Sequence, residues 1–322
     1  MDPLLLALPS KGRLKDQTEA WLADCGLPIG ILGGARGYSA ALPALPGVEA
    51  PLLPSGEIAA ALQTGEVHLG VVGEDLLRER GGAIEDDAVL LRPLGFGQAD
   101  LVVAAPESWI DVQAMADVDE VAMAYLGRTG SRLRVATKYP VQTRAFFARH
   151  NIADYRIVES GGATEGAPAA GAAELIVDIT TTGATLKANG LRPLADGTIL
   201  RSQAHLAASL KADWSPDRLA LARRFLQIVE ARARAQQLAA LTWPAGQAKA
   251  AEAATTPFVA RGADRRPNGL LLAATELFAA AAALADAEVG PVSVTHPSYV
   301  FQADCPALDA LIARVQKQRS SA

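Results

Sequence analysis

The segment Asp178-Ile179-Thr180-Thr181-Thr182-Gly183-Ala184-Thr185-Leu186 gathers four hydroxyls around one glycine, directly after a buried apolar run. A hydroxyl-rich turn opening a helix presents backbone N–H groups, side-chain hydroxyls and the positive helix end to one anion, which suits a phosphate. Asp178, at the strand end, is placed to accept hydrogen bonds from the hydroxyls of an attached sugar. The same residues also read as a helix cap, with Thr180 to Thr182 satisfying backbone N–H groups and Asp178 closing a turn. Local sequence balances the two readings. The Gly-Lys-Ser/Thr of a P-loop is absent from the segment.

Three further segments carry related chemistry. Ser10-Lys11-Gly12-Arg13 puts two cations beside a glycine at a strand-to-helix turn, a pattern suited to phosphate or pyrophosphate. Its plainer reading is Ser10 as a helix cap with solvated charges. Glu159-Ser160-Gly161-Gly162-Ala163-Thr164-Glu165 permits close backbone approach, and Glu165 can hold a hydroxyl or a metal-bound water. Here too a cap, Thr164 before Glu165, competes. In Gly73-Glu74-Asp75, paired acids can orient Mg²⁺ or a ribose, although acids are common in a first helical turn. Lys138 and Arg144, near a strand end and the following helix, can reach an anion in a cleft; solvated charge is the simpler reading. His68, His150, His205 and His296 lack metal-binding spacing, and no serine sits in a Gly-x-Ser-x-Gly elbow.

These segments need rigid elements to hold them. Apolar runs predict strands over 4–8, 67–72, 87–94, 100–105, 133–137, 155–158 and 174–177. Helical spacing predicts helices over 14–25, 58–62, 141–150 and around 165–170, with a short one through Leu77. Strands alternating with helices imply parallel α/β sheets with ligands at the carboxyl ends of strands. Two such runs in series imply two α/β lobes with a cleft between them. The boundaries expected are 1–97 for the first lobe, completed by 190–215, and 98–189 for the second. Beyond 216 the pattern predicts one long helix over 216–241, a mixed stretch to 268, an Ala-rich helix over 270–284, strands over 292–295 and 299–303, and a closing helix over 308–318. This is a smaller C-terminal α+β region for regulation or oligomerisation, with its own core.

Composition narrows the function. The 322 residues are 50% hydrophobic and 20% charged, enough for buried cores and too apolar for a disordered tail. A net charge of -5 argues against non-specific nucleic-acid binding, which needs a basic surface. Cys25 and Cys305 are the only cysteines, so neither a disulfide framework nor a cysteine metal site is expected. The apolar start is too short for a signal peptide, and the 270–284 stretch is short for a membrane span. A cytoplasmic protein without membrane attachment is the expectation.

Taken together the segments resemble the ATP phosphoribosyltransferase family, whose members open histidine biosynthesis. The resemblance rests on Ala7-Leu8-Pro9-Ser10-Lys11-Gly12-Arg13-Leu14, Gly70-Val71-Val72-Gly73-Glu74-Asp75-Leu76-Leu77, Leu94-Gly95-Phe96-Gly97 and Arg134-Val135-Ala136-Thr137-Lys138-Tyr139-Pro140. Glu159 to Glu165, Val177 to Leu186 and Lys187-Ala188-Asn189-Gly190-Leu191 complete it. Any one motif is weak; the ordered set, from residue 4 to about 207, is specific.

The resemblance implies two α/β lobes like type II periplasmic binding proteins, with the active site between them. It implies Mg²⁺-dependent transfer of phosphoribosyl from phosphoribosyl pyrophosphate to N1 of ATP. By similarity, Asp178, Thr180, Thr181, Thr182, Gly183, Ala184 and Thr185 grip the 5′-phosphate and ribose. Lys11 and Gly12 approach the pyrophosphate, Ser10, Arg13, Gly73, Glu74 and Asp75 join the substrate site, and Lys11 with Glu159 and Glu165, the two acids lying in the cleft, is the implied catalytic set. Mg²⁺ would be held mainly by substrate phosphates. A homo-oligomer is implied. Long-form members end in a βαββαβ domain that binds histidine as a feedback inhibitor; short-form members need a regulatory subunit resembling histidyl-tRNA synthetase. The residues after 216 have the size of the former. One departure stands out: many members carry a basic-acidic segment where this chain has Leu53-Pro54-Ser55-Gly56-Glu57-Ile58. A non-catalytic two-lobed binding protein would share the fold but would not need several phosphate-type turns around one cleft; a regulatory paralogue, held inactive until a partner binds, is the other alternative.

Overall fold

The computed structural model describes residues 2–32, 38–81 and 84–321. The first lobe runs through β1 (Leu4–Pro9), α1 (Gly12–Asp24), β2 (Gly30–Leu32), β3 (Ser39–Ala41), β4 (Val48–Leu53), α2 (Ser55–Thr64), β5 (Leu69–Gly73), α3 (Glu74–Glu79), α4 (Ile84–Asp87) and β6 (Ala88–Pro93). Alternation along β1 explains the layering. Leu4, Leu6 and Leu8 point into one core with Leu22 of α1, while Ala7 points into the opposite core with Ile58 and Leu62 of α2. Burying each of those leucines contributes roughly 1.5–3 kcal/mol. α2 stops at Gly65, whose φ of 86° favours glycine and where a Cβ would meet Lys211 O at 2.6 Å.

The second lobe holds β7 (Ala99–Pro106), α5 (Met115–Thr129), β8 (Leu133–Thr137), α6 (Pro140–Arg149), β9 (Tyr155–Glu159), β10 (Leu175–Thr180), α7 (Ala184–Ala188) and β11 (Leu191–Ser202). Its sheet order is β11-β7-β10-β8-β9, with Leu101 and Val103 facing the helices α5 and α6 and Val102 and Ala104 facing α7. The helix expected around 165–170 is a single 3-10 turn, Thr164–Gly166, among glycines and Pro168.

The chain then returns. β12 (Ala204–Ser209) inserts between β5 and β6, giving the seven-stranded order β2-β3-β4-β1-β5-β12-β6. Both sheets are therefore mixed rather than parallel: strands that cross between the lobes enter antiparallel to their neighbours, and β3 runs antiparallel to β2 and β4 at the edge of the first sheet. The first sheet regains the chain at Ala204, not at 190, since β11 lies along β7. Two adjacent crossings make the hinge, tied by Leu94 N to Ala204 O at 2.9 Å and Ala204 N to Phe96 O at 3.0 Å.

The C-terminal residues divide. α8 (Pro216–Ala235) is started by the Ser215 hydroxyl, which accepts from Arg218 N, and buries Leu221, Phe225 and Val229 in the first-lobe core. It ends before 241 because Leu238–Thr242 forms β13, whose Ala239 and Leu241 alternate into a separate core. α9 (Ala248–Ala260), β14 (Asp264–Arg266), β15 (Gly269–Ala273), α10 (Leu277–Asp286) and β16 (Ser293–Thr295) follow. The sheet is antiparallel, ordered β14-β15-β13-β16, so the topology is a βαββαβ unit of the ferredoxin-like kind. The first part of the expected helix over 270–284 is thus the central strand β15, overridden by pairing with β13 and β14. Residues 299–303 form no strand; they run beside α8, where Val300 N donates to Ala231 O at 3.0 Å. α11 (Pro306–Ser321) returns Leu308, Leu311 and Val315 to the first-lobe core.

Candidate active site

Two cavities meet where the lobes face each other. One, of about 380 Å³, is lined by Arg13, Ala99, Glu165 and the stretch Asp178 to Leu186 apart from Gly183. The other, of about 270 Å³, is lined by Arg13, Leu14, Gln17, Ser55, Gly73, Asp75, Leu76, Tyr139 and the hinge residues Gly97 to Ala99, with Ile179 and Thr181. Arg13, Ala99, Ile179 and Thr181 border both. The hinge passes beside them, and Gly97 is at φ 66°, where a Cβ would lie 3.1 Å from both Ala204 Cβ and Leu14 Cδ1.

The threonine loop is built by its own hydroxyls. β10 runs through to Thr180, so Asp178 lies within the strand, paired with Val102, rather than after it. The chain then turns at Gly183, φ 75°, into the five-residue α7. Gly183 N donates to Thr180 Oγ1 at 2.9 Å, and Ala184 N to Thr182 Oγ1 at 3.4 Å. Thr181 reaches across the cleft: its hydroxyl donates to Gln98 O at 3.1 Å and accepts from Arg13 Nη2 at 3.4 Å. The hydroxyls of Thr180 and Thr182 thus bond backbone N–H groups of the turn, while Thr180, Thr181, Thr182 and Thr185 also line the larger cavity. A helix this short adds little field, so what the loop offers an anion is hydroxyls, N–H groups and the nearby arginine.

Asp178 is half-buried, and burial pushes its carboxyl above the usual range. The Ile179 N–H, donating at 2.8 Å, and Lys138 oppose that rise, while Glu165 adds to it. An oxygen-rich set of this kind, acids plus hydroxyls, suits Mg²⁺ carried on phosphates better than a protein cage. Among the described residues no group of three or more His, Cys, Asp or Glu side chains forms a metal cage.

Asp75 has a different surrounding. It is 5% exposed, and its carboxylate accepts from Tyr139 Oη at 2.9 Å and Ser202 Oγ at 2.8 Å. Glu74 pairs instead with Arg78. A bare paired-acid site for Mg²⁺ is therefore not what these two residues form. Ser10, Lys11, Gly12, Glu74 and Glu159 line neither cavity; Lys11, not Ser10, is the residue that precedes α1, and α1 starts already at Gly12. Tyr139, Gln142 and Ser202 were not marked by their own sequence signal. Tyr139 lies inside the Thr137-Lys138-Tyr139-Pro140 motif, which was the available hint.

Fold and site together define a two-lobed α/β protein with a hydroxyl-lined cavity at the lobe junction and a separate βαββαβ unit. The ATP phosphoribosyltransferase family model matches residues 54–230. An ATP phosphoribosyltransferase of Caulobacter vibrioides is 64% identical over 307 residues, covering 95% of this chain and 96% of its own. One from Bradyrhizobium diazoefficiens is 57% identical over 235 residues, covering 73% and 72%. A chain of the ATP phosphoribosyl transferase (HisG:HisZ) complex from Thermotoga maritima shares the fold with a TM-score of 0.52 at 23% identity, covering 70% of this chain and 96% of that one. The chain belongs to the ATP phosphoribosyltransferase family. Its activity is phosphoribosyl transfer to ATP, the first step of histidine biosynthesis. No helix among the described residues is long and apolar enough to cross a membrane.

Proposed function

We propose that the threonine loop binds the 5′-phosphate of phosphoribosyl pyrophosphate, with Asp178 accepting from its ribose hydroxyls. The observation that carries this reading is Arg13, from the first lobe, reaching Thr181 of the second at 3.4 Å across the larger cavity. A cation meeting a hydroxyl cradle across a cleft favours a phosphate between them. Lys11 and Gly12, beside Arg13, approach the pyrophosphate as the lobes close. Glu165 lines the cavity, and Glu159 lies at its strand-end approach. The smaller, more apolar cavity, with Leu14, Leu76 and Tyr139, takes the adenine.

N1 of adenine already carries a lone pair, so no nucleophilic side chain or strong base is required. The N1–C1 bond forms as the C1–oxygen bond breaks, and its electron pair leaves with pyrophosphate. The chain's residues align the two substrates and exclude water from an oxocarbenium-like centre. Mg²⁺, when bound, would supply charge neutralisation on the departing phosphates, beside Asp178 and Glu165. Both substrates are cytoplasmic metabolites, which supports a cytoplasmic enzyme.

The C-terminal βαββαβ order supports histidine as a feedback inhibitor binding that unit, and an enzyme that needs no separate regulatory subunit. The test is the purified full chain with ATP, phosphoribosyl pyrophosphate and Mg²⁺, followed by product absorbance and titrated with histidine. Product without a partner, suppressed by histidine, is expected. Product only with a histidyl-tRNA-synthetase-like subunit would overturn the autonomous form. Tight ligand binding without product under either condition would favour a binding protein.

A further inference from the structure

We propose that Gln17 selects the base: its carboxamide accepts from the 6-amino group of adenine and donates to N7, which sorts adenine from 6-oxopurines and leaves N1 free to react. The inference deepens the reading of the smaller cavity as the adenine site, and rests on it. Its starting point is an unmet hydrogen bond. Gln17 lines that cavity, and its Oε1 is buried without a hydrogen-bond partner among the described residues. A buried acceptor without a donor costs free energy, so such an atom on a cavity-lining residue calls for a ligand that supplies the donor. The residue is half-buried, and a turn about its last side-chain bond exchanges oxygen and NH2 without moving the backbone.

Helical spacing places the group. Gln17 follows Arg13 by four residues and Leu14 by three, so all three share one face of α1, and all three line the smaller cavity. Arg13 is engaged with Thr181 across the cleft, and Leu14 lies against the hinge at Gly97. Other polar groups of this cavity are taken. Asp75 accepts from Tyr139 and Ser202, Gln98 Nε2 donates to Gly95 O at 2.9 Å, and the Thr181 hydroxyl donates to Gln98 O. Gln17, with its unpaired Oε1, is the amide left for a ligand.

A carboxamide complements one edge of adenine. It offers an acceptor beside a donor, and the 6-amino group and N7 offer a donor beside an acceptor. When adenine is held by that edge, N1 lies on the far side of the amine, unblocked, as the reaction requires. Guanine presents two acceptors there, O6 and N7, so one of them meets Oε1 with no proton between. A buried polar group left unpaired by the wrong ligand is what makes such a site discriminate.

The test uses the full chain and pyrophosphate release, with ATP and 7-deaza-ATP (which keeps N1 and the amine but lacks N7) as substrates and GTP as competing nucleotide. Wild type, Gln17→Leu and Leu14→Ala are compared, each with its KM for phosphoribosyl pyrophosphate and its thermal melt. In the wild type, KM for 7-deaza-ATP is expected about fivefold above that for ATP, from the loss of one neutral hydrogen bond. Gln17→Leu should raise KM for ATP about tenfold, bring the two substrates level and narrow the preference for ATP over GTP. Its KM for phosphoribosyl pyrophosphate stays at the wild-type value, and its melt lies at or above the wild type, since Oε1 has no protein partner to lose. Leu14→Ala, which alters the apolar wall alone, raises KM for both substrates by the same factor. A wild-type ratio retained in Gln17→Leu, while Leu14→Ala raises KM for ATP, overturns the role of Gln17 alone. A lowered melt in Gln17→Leu, with KM raised for phosphoribosyl pyrophosphate as much as for ATP, makes Gln17 a structural residue and overturns it as well. KM for ATP unmoved in both variants overturns the placing of adenine in this cavity.

Discussion

The Tyr139 hydroxyl donates to Asp75 Oδ2 at 2.9 Å, joining the start of α6 in one lobe to the start of α3 in the other. The second carboxylate oxygen accepts from Ser202 of the hinge, whose Oγ in turn accepts from Asp75 N at 3.1 Å. Gln142 Nε2 adds a bond to Asp75 O at 2.9 Å. Beside this cluster, Glu79 accepts from Val141 N and Gln142 N at the open end of α6. One buried carboxylate thereby ties both lobes and the returning strand at the edge of the proposed adenine cavity.

That tie predicts an asymmetric response to mutation. Asp75→Ala strands the Tyr139 and Ser202 hydroxyls in a buried site and should cost about 2–3 kcal/mol; Tyr139→Phe removes one donor and should cost about 1 kcal/mol. Urea unfolding of both and of the double variant measures it. Strictly additive losses would show that the two side chains do not interact.

Gly97 predicts a packing and backbone limit at the hinge. Its φ of 66° disfavours any side chain, and a Cβ would press on Ala204 and Leu14 at 3.1 Å. Gly97→Ala should lose about 1–2 kcal/mol of stability. The KM for ATP should rise as well, since Gly97 and Leu14 line the smaller cavity. A stable variant with unchanged KM would contradict this.

Glu174 predicts part of the acid sensitivity. Burial opposes its ionisation, but the Arg134 side chain and backbone N–H, with Tyr125 Oη, outweigh that and hold its carboxyl below the ordinary value of 4.5. A carboxylate lowered in the folded state adds stability that is present above the unfolded value and is lost as pH falls through the folded one. Glu174→Gln should therefore reduce stability at pH 7 and flatten the loss below pH 4.5. Chemical unfolding from pH 3 to pH 7 checks the slope; an acid limb as steep as in the wild type would refute it.

Much of this architecture was legible in local patterns. Leu4 to Leu8, Leu133 to Thr137 and Val141 to His150 gave strands and a helix because their periodicity and their burial agree. Ala-rich segments misled, since alanine favours helices while carrying little packing area. Leu238 to Leu241 and Leu270 to Ala273 are strands because they pair with each other and with β16 and β14 on their outer sides. α9, with its internal Pro257, read as loop. In the site, the hydroxyl-rich loop and Arg13 announced themselves by composition. The Asp75–Tyr139 bond spans 64 positions and depends on how the lobes meet, so local sequence could not express it.

The central claim is that Asp178 and the threonine loop hold phosphoribosyl pyrophosphate. Steady-state kinetics of Asp178→Ala and Thr182→Val on the full chain test it most directly, with thermal melts to show that folding is retained. Both residues line the larger cavity. The prediction is a KM for phosphoribosyl pyrophosphate raised about tenfold or more in Asp178→Ala, and less in Thr182→Val, with the melts unchanged, from the loss of charged and neutral hydrogen bonds respectively. Unchanged kinetics in both variants would contradict the assignment.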